Sequence, residues 1–188
     1  MNIALDLDDT ALEYRDVQDK WLKEHFKEAY ARDSYKAFAL HETWNCSREE
    51  ASQRILAFYK TTAFKDLPII PDIIPIIQAL KEHNIYIMTS RPEWTRKITE
   101  AHVRKLEGKA NVIFSGLILA GWNNLEKPEL CKKLGIHMLI DDAKQNVEGS
   151  IGIVPHLYAP AQPWNKNVHE KVVRGTYKEL LDHILTIF

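Results

Sequence analysis

The sequence predicts an α/β protein: a parallel sheet covered by helices on both faces, with a small helical lobe inserted after the first strand. Three observations carry this. Short apolar runs alternate with segments of helical periodicity, the pattern of βαβ units. Three of those runs end in polar clusters, Asp6/Asp8, Thr89/Ser90 and Asp141/Asp142, and a parallel sheet would bring all three ends to one edge. The block after the first run has helical spacing and no convincing strand.

The first strand is Ile3-Ala4-Leu5, closed by Asp6-Leu7-Asp8-Asp9-Thr10. From Tyr14 to Tyr30, Val17, Trp21, Leu22, Phe26 and Ala29 recur at helical spacing. Ser47-Arg48-Glu49-Glu50 reads as a capping box, in which Ser47 and Glu50 satisfy free N–H groups of a helix whose apolar face is Ala51, Ile55, Phe58 and Tyr59. Between the two helices lies a less regular stretch rich in aromatic residues. Residues 13–70 are therefore assigned to the helical lobe, and residues 1–12 with 71–188 to the sheet domain.

Pro75 is tolerable in the first turn of a helix whose apolar face is Ile73, Ile76, Ile77 and Leu80. The strand Ile85–Met88 follows and stops at Thr89-Ser90-Arg91-Pro92. A helix is expected over 93–106, then a short strand between the turns at Gly116 and Gly121. Glu126 to Leu134 reads as a helix ended by Gly135. His137–Ile140 makes a strand that ends at Asp141-Asp142, and a short helix spans 143–148. Ile151–Val154 is read as a strand, with a further one at His156–Tyr158. The last helix is expected to carry Val173, Tyr177, Leu180, Leu181 and Ile184.

The 188 residues are enough for one core with a small appended lobe. Lysine and arginine number 25 against 26 acidic residues, a net charge of −1, which gives no reason to expect duplex nucleic acid or an anionic membrane as partner. No segment has the length of a membrane helix; 69–80 is too short and carries two prolines and an aspartate. Cys46 and Cys131 belong to no CxxC or metal pattern, and no basic, apolar leader opens the chain. A reducing, cytoplasmic setting is the expectation.

Asp6 and Asp8 alone would fit an acidic turn capping the next helix. Taken with the other strand ends they fit chemistry on a phosphate. Two carboxylates this close repel unless a hard cation such as Mg2+ sits with them. With Asp6 and Asp141 sharing the metal, a carboxylate beside a phosphorus can attack it in line. Asp8 is placed to move a proton, and Thr89 and Ser90 offer donors to phosphoryl oxygens. A lysine is needed to offset this charge. Lys127, at a helix start, is the candidate, with Lys132 and Lys133 competing. Asp142 either joins the metal site or caps the helix that follows. Arg91 either binds phosphate or is a solvated loop arginine. Tyr35, Phe38, Trp44 and Phe64 either stack on a substrate base or form the core of the lobe. Trp164-Asn165-Lys166 lies in a loop that could close over the site, and none of the eight histidines makes a ligand pair.

Asp6-Leu7-Asp8-Asp9-Thr10, Thr89, Lys127 and Asp141-Asp142 resemble, in order, the four motifs of the haloacid dehalogenase-like (HAD) phosphatase superfamily. The resemblance covers almost the whole chain. It implies a Rossmann-like three-layer core with a helical cap, and Mg2+-dependent hydrolysis of a small-molecule phosphomonoester through an aspartyl-phosphate. Asp6 would be the nucleophile and Asp8 the general acid/base. Thr89, Ser90, Arg91 and Lys127 would contact phosphate, and Asp6, Asp8, Asp141 and Asp142 would form the metal site.

Met88–Pro92, Leu139–Asp142 and Gln162–Lys166 further resemble the 5'(3')-deoxyribonucleotidase branch and its bacterial and phage relatives, which implies a nucleoside or deoxynucleoside monophosphate as substrate. The chain departs from that branch at Asp9, where glycine is frequent. The alternatives are a phosphatase for sugar phosphates or nucleic-acid 3'-phosphates, and a non-catalytic phosphate- or metal-binding module.

Overall fold

The computed structural model describes residues 1–35, 39–121 and 126–188. Phe38 and Leu125 lie outside the described residues. The chain opens with β1 (Asn2–Leu5) and continues through four helices: α1 (Tyr14–Phe26), α2 (Leu40–Thr43), α3 (Arg48–Tyr59) and α4 (Thr62–Lys65). After these come α5 (Ile73–Ala79), β2 (Asn84–Thr89), α6 (Arg96–Ala110), β3 (Gly116–Leu119) and α7 (Lys127–Lys133). The chain ends with β4 (Met138–Ile140), α8 (Lys144–Gly149), β5 (His156–Pro160), β6 (Val173–Gly175) and α9 (Tyr177–Ile184).

The strands form one parallel sheet in the order β3-β2-β1-β4-β5-β6. Alternate side chains along a strand face opposite ways, and each face buries its own cluster. Ile3, Leu5, Ile87, Met138, Ile140 and Tyr158 join a core with residues of α5, α6 and α9. Ala4, Met88, Leu139, Leu157 and Ala159 join a second core with Cys131 of α7 and Val147 of α8. This is the expected three-layer α/β architecture. The inserted helices add Trp21, Leu22, Phe58, Tyr59 and Phe64 to the first core, so their aromatic face is continuous with one side of the sheet. Trp44 and Phe64 are buried there rather than presented to solvent, and Tyr35 is buried as well. No helix among the described residues is long and apolar enough to cross a membrane. Both cysteines are free.

Local chemistry accounts for most element boundaries. Pro75 is the third residue of α5, inside the first turn, where its missing N–H breaks no helical bond. Ser47 Oγ accepts from the Glu50 N–H at 3.1 Å as anticipated, but the Glu50 carboxylate turns to Arg54 at 2.7 Å instead of back to the cap. Helix α1 stops at Phe26, short of Tyr30, because Lys27 takes a left-handed conformation, φ 59°.

Two expectations near the C-terminus are corrected. Residues 151–154 are a turn, not a strand. Gly152 has φ +84°, and the N–H groups of Ile153 and Val154 both return to the Ser150 carbonyl. The strand beside β4 is β5, at His156–Pro160. Val173 belongs to β6, pairing with Tyr158, and not to the last helix. That helix begins after Thr176, where Thr176 and Glu179 form a reciprocal capping box.

Candidate active site

Strands β2, β1 and β4 are neighbours in the sheet, so Thr89, Asp6 and Asp141 stand side by side at its carboxyl edge. The Asp6 N–H bonds the Ile140 carbonyl at 3.0 Å and the Asp141 N–H bonds that of Tyr158 at 3.1 Å, which continues the strand pairing up to the carboxylates. Lys127, the first residue of α7, reaches over this edge. Its Nζ lies 2.6 Å from Asp6 Oδ1 and 2.6 Å from Asp141 Oδ2, and all three side chains are buried. Lys132 and Lys133, the competing lysines, are exposed.

Asp141 Oδ1 also takes the Ala143 N–H at 2.8 Å and the Asn146 amide at 3.1 Å. Asp141 thus meets the N–H of Ala143, the residue that precedes α8, and Asp142 is not the helix cap. Asp142 instead takes the Trp164 indole N–H on Oδ2 at 2.7 Å and the Thr10 hydroxyl on Oδ1 at 3.3 Å. The loop carrying Trp164 and Asn165 therefore does reach the site, and Asn165 donates to the Asp142 carbonyl.

Asp8 lies apart from these groups. Its carboxylate is clasped by the Arg91 guanidinium through Nε, at 2.9 Å, and Nη2, at 2.5 Å. Arg91 was grouped by sequence with the phosphate contacts; its side chain is fully buried and committed to Asp8. Ser90 is exposed and, with Thr89, lines the cavity above the carboxylates.

Asp9 has φ 58°, the left-handed region that glycine enters freely and aspartate tolerates. That backbone state is one in which glycine would fit without strain. The Asp9 side chain adds something glycine cannot: Oδ1 accepts the Arg15 N–H at 2.9 Å, and the carboxylate pairs with Arg15 and Arg32. The Arg15 guanidinium in turn lies over the rings of both Tyr35 and Trp164, 4.5 and 4.4 Å from their centroids.

The electrostatics of the edge are unbalanced. Carboxylate oxygens of Asp6, Asp141 and Asp142 lie within 4.8 Å of one another, facing one ammonium. Burial pushes Asp6 up to about 7 even with Lys127 beside it, and Asp141 and Asp8 push the same way. Burial, then the charges of Asp6, Asp9 and Asp141, raises Asp142 well above the carboxylate range. Burial opposes the Lys127 ammonium, but Asp141 and Asp6 hold its pKa above the usual lysine value. An all-oxygen set with excess negative charge fits a hard divalent cation such as Mg2+. Each Asp142 oxygen takes one side-chain donor and keeps a lone pair, whereas each Asp141 oxygen already accepts two donors, Asn146 sharing its amide between them. Asp6, Asp141 and Asp142 are the residues that would hold it; the Asp8 side chain lies outside this group.

Above the carboxylates opens a cavity of about 540 Å3. Its floor is polar, with Asp6, Asp8, Thr89 and Lys127, and its far wall comes from the inserted helices, with Ala51, Ile55 and Tyr59 of α3. Sequence reasoning missed Arg15, Asn146 and His102. Asn146 reaches Asp141 from five residues on and Arg15 reaches Asp9 from six, whereas His102 acquires its contacts only when separate elements meet.

No protein-family model and no curated protein matches the chain. Solved structures do. A proposed beta-phosphoglucomutase from Thermotoga maritima aligns over 100% of this chain and 99% of its own, with TM-score 0.60 and 16% identity. A HAD-superfamily hydrolase of subfamily IA from Geobacter sulfurreducens aligns over 97% and 95%, with TM-score 0.60 and 14% identity. A predicted phosphoglycolate phosphatase from Haemophilus somnus aligns over 97% and 96%, with TM-score 0.53 and 12% identity. The chain thus has the Rossmann-like fold of HAD hydrolases, along its full length and theirs.

Proposed function

We propose that this chain is a Mg2+-dependent phosphomonoesterase that works through an aspartyl-phosphate on Asp6. The observation that carries the reading is Lys127, buried and bonded at once to Asp6 and Asp141 beneath the cavity. Lys127 holds Asp6 Oδ1 and orients the carboxylate; the other oxygen attacks phosphorus, and the ester P–O bond breaks. Asp8 gives a proton to the departing oxygen, then takes one from the water that cleaves the acyl phosphate, releasing inorganic phosphate and the Asp6 carboxylate. Thr89 and Ser90 supply donors to the phosphoryl oxygens. Mg2+ held by Asp6, Asp141 and Asp142 would neutralise charge on the phosphate and orient it.

Residues 13–70 act as a cap over this site, and their contribution to the cavity supports a nucleoside or deoxynucleoside monophosphate as substrate. The wall offers Ala51, Ile55 and Tyr59 to the face of a base, with His41, Arg48 and Ser52 beside them for its polar edges and the sugar. A second reading, a sugar phosphate or another small polar phosphate, is favoured by the names of two structural neighbours, a beta-phosphoglucomutase and a phosphoglycolate phosphatase. The chemistry is tested with para-nitrophenyl phosphate: Asp6→Asn should abolish turnover while the protein stays folded by circular dichroism. An Asn variant as active as the parent would sink the mechanism.

A further inference from the structure

The Arg91 guanidinium is held from every side. Nε and Nη2 donate to the two oxygens of Asp8. Nη1 meets His102 Nδ1 at 2.9 Å and Thr99 Oγ1 at 3.4 Å, and the Phe64 ring lies over the group, 4.6 Å from centroid to carbon. An arginine only donates, so Nδ1 of His102 must be the acceptor. The ring proton is then on Nε2, which donates to the Lys65 carbonyl at 3.0 Å. Burial, followed by the nearby guanidinium, holds His102 down at about 4, so it remains a neutral acceptor near neutral pH. A continuous chain thus runs from the end of α4, through His102 of α6 and Arg91 after β2, to Asp8 after β1.

We propose that Arg91 and His102 are positioning residues that fix the Asp8 carboxylate for proton transfer to the leaving group. The proposal rests on the phosphomonoesterase reading. Asp8 touches the reacting oxygen; Arg91 acts through Asp8, and His102 through Arg91. The paired N–H groups set the plane of the carboxylate. The fixed His102 tautomer and the Phe64 ring keep the guanidinium from turning away.

General acid help matters most when the leaving group is a poor one. kcat/KM reports the steps up to its departure, so it separates this role from a general loss of structure. The test compares para-nitrophenyl phosphate, whose phenolate leaves readily, with an alkyl monophosphate. Arg91→Lys keeps the charge but cannot make the paired bond. It should lower kcat/KM on the alkyl ester on the order of 100-fold, the cost of a misplaced catalytic group, and on the aryl ester only a few-fold. His102→Leu should show the same bias, at least about tenfold on the alkyl ester. His102→Gln offers an acceptor to Arg91 and a donor to Lys65, and should restore most of that loss.

An equal loss on both esters, no loss, or a Gln variant no better than Leu would overturn the proposal. Nitrogen NMR of the wild-type protein adds a readout free of folding effects: His102 should be the neutral Nε2–H tautomer at pH 7, and any other form counts against the chain of contacts. If the wild type turns over neither ester, it is the phosphomonoesterase reading that fails. If it turns over both and the variants do not discriminate, only this inference fails.

Discussion

The indole N–H of Trp164 donates to Asp142 Oδ2 at 2.7 Å, tying a buried fluorophore to one corner of the acidic cluster. A cation entering among Asp6, Asp141 and Asp142 withdraws charge from the carboxylate that accepts this hydrogen bond. Mg2+ titrated into EDTA-treated protein should therefore shift Trp164 emission with the same midpoint at which activity returns. The folded state should gain about 2.7 kcal/mol at a hundred times the dissociation constant. A Trp164→Phe variant should lose the spectral change while keeping the thermal shift. Activity that survives EDTA unchanged would remove Mg2+ from the scheme.

At Asp9 the backbone and the side chain make separate demands, and substitutions can separate them. The φ of 58° tolerates Gly and Asn but disfavours alanine, and only a side-chain acceptor can take the Arg15 N–H. Urea denaturation should rank Asp9→Asn above Asp9→Gly and Asp9→Ala lowest. The Asn–Ala gap should be on the order of 2 kcal/mol, from left-handed strain and the lost hydrogen bond. Equal stability of the Gly and Ala variants would mean the backbone strain is not felt.

The candidate site at the carboxyl edge of the sheet could be read from sequence because β1, β2 and β4 each end an apolar run in a polar residue. A parallel sheet then leaves little freedom in where Asp6, Thr89 and Asp141 go. Lys127 was legible for a similar reason: a helix start followed by Pro128 points its first residue back at the sheet. The partners of Asp8 were not legible, whereas the loop of Trp164 and Asn165 that meets Asp142 was. Arg91 reads either as a phosphate contact or as a loop arginine and His102 as one histidine among eight, and their contacts depend on how α4 and α6 pack. At the C-terminus, Ile151 to Val154 has the composition of a strand, but Gly152 turns the chain. Strand β6 is three residues long, and Val173 happened to continue the spacing of α9. The capping pattern Thr176 to Glu179 was the signal that could have separated them.

Half-buried Asp19 and buried His102 should give opposite pH dependence of stability. Burial is the main cause that raises Asp19 from 3.8 to about 6, against the Tyr35 hydroxyl that donates to it and the nearby Arg15. Between those values the folded state binds more protons than the unfolded. Its contribution is full below 3.8 and is lost as pH rises through 6. His102 runs the other way. Burial and Arg91 lower it from 6.5 to about 4, against Asp8 and the Lys65 carbonyl, with Lys105 also lowering it. Its contribution is full above 6.5 and is lost as pH falls towards 4. The stability difference between wild type and Asp19→Asn should therefore fall from pH 4 to 6, and that between wild type and His102→Gln should rise. Denaturant midpoints across this range, with Mg2+ held constant, check both. Parallel curves would mean that neither group titrates as its surroundings imply.

The far wall of the cavity decides between the two substrate readings. Ile55 is half-buried and lines the same cavity as the carboxylates. A nucleoside leaving group that packs there loses apolar contact in Ile55→Ser. The loss is felt equally in the ground state and the transition state, so KM should rise on the order of tenfold with kcat unchanged. A small polar phosphate does not reach that wall, and its KM should not move. Comparing kcat/KM for nucleoside monophosphates and sugar phosphates in the wild type, then in Ile55→Ser, gives two independent answers. If nucleotides are the better substrates and lose affinity in the variant, the wall of α3 is a binding surface for the base. If sugar phosphates are preferred and neither class responds, Ala51, Ile55 and Tyr59 are there to close the site against water, and the nucleotide reading falls.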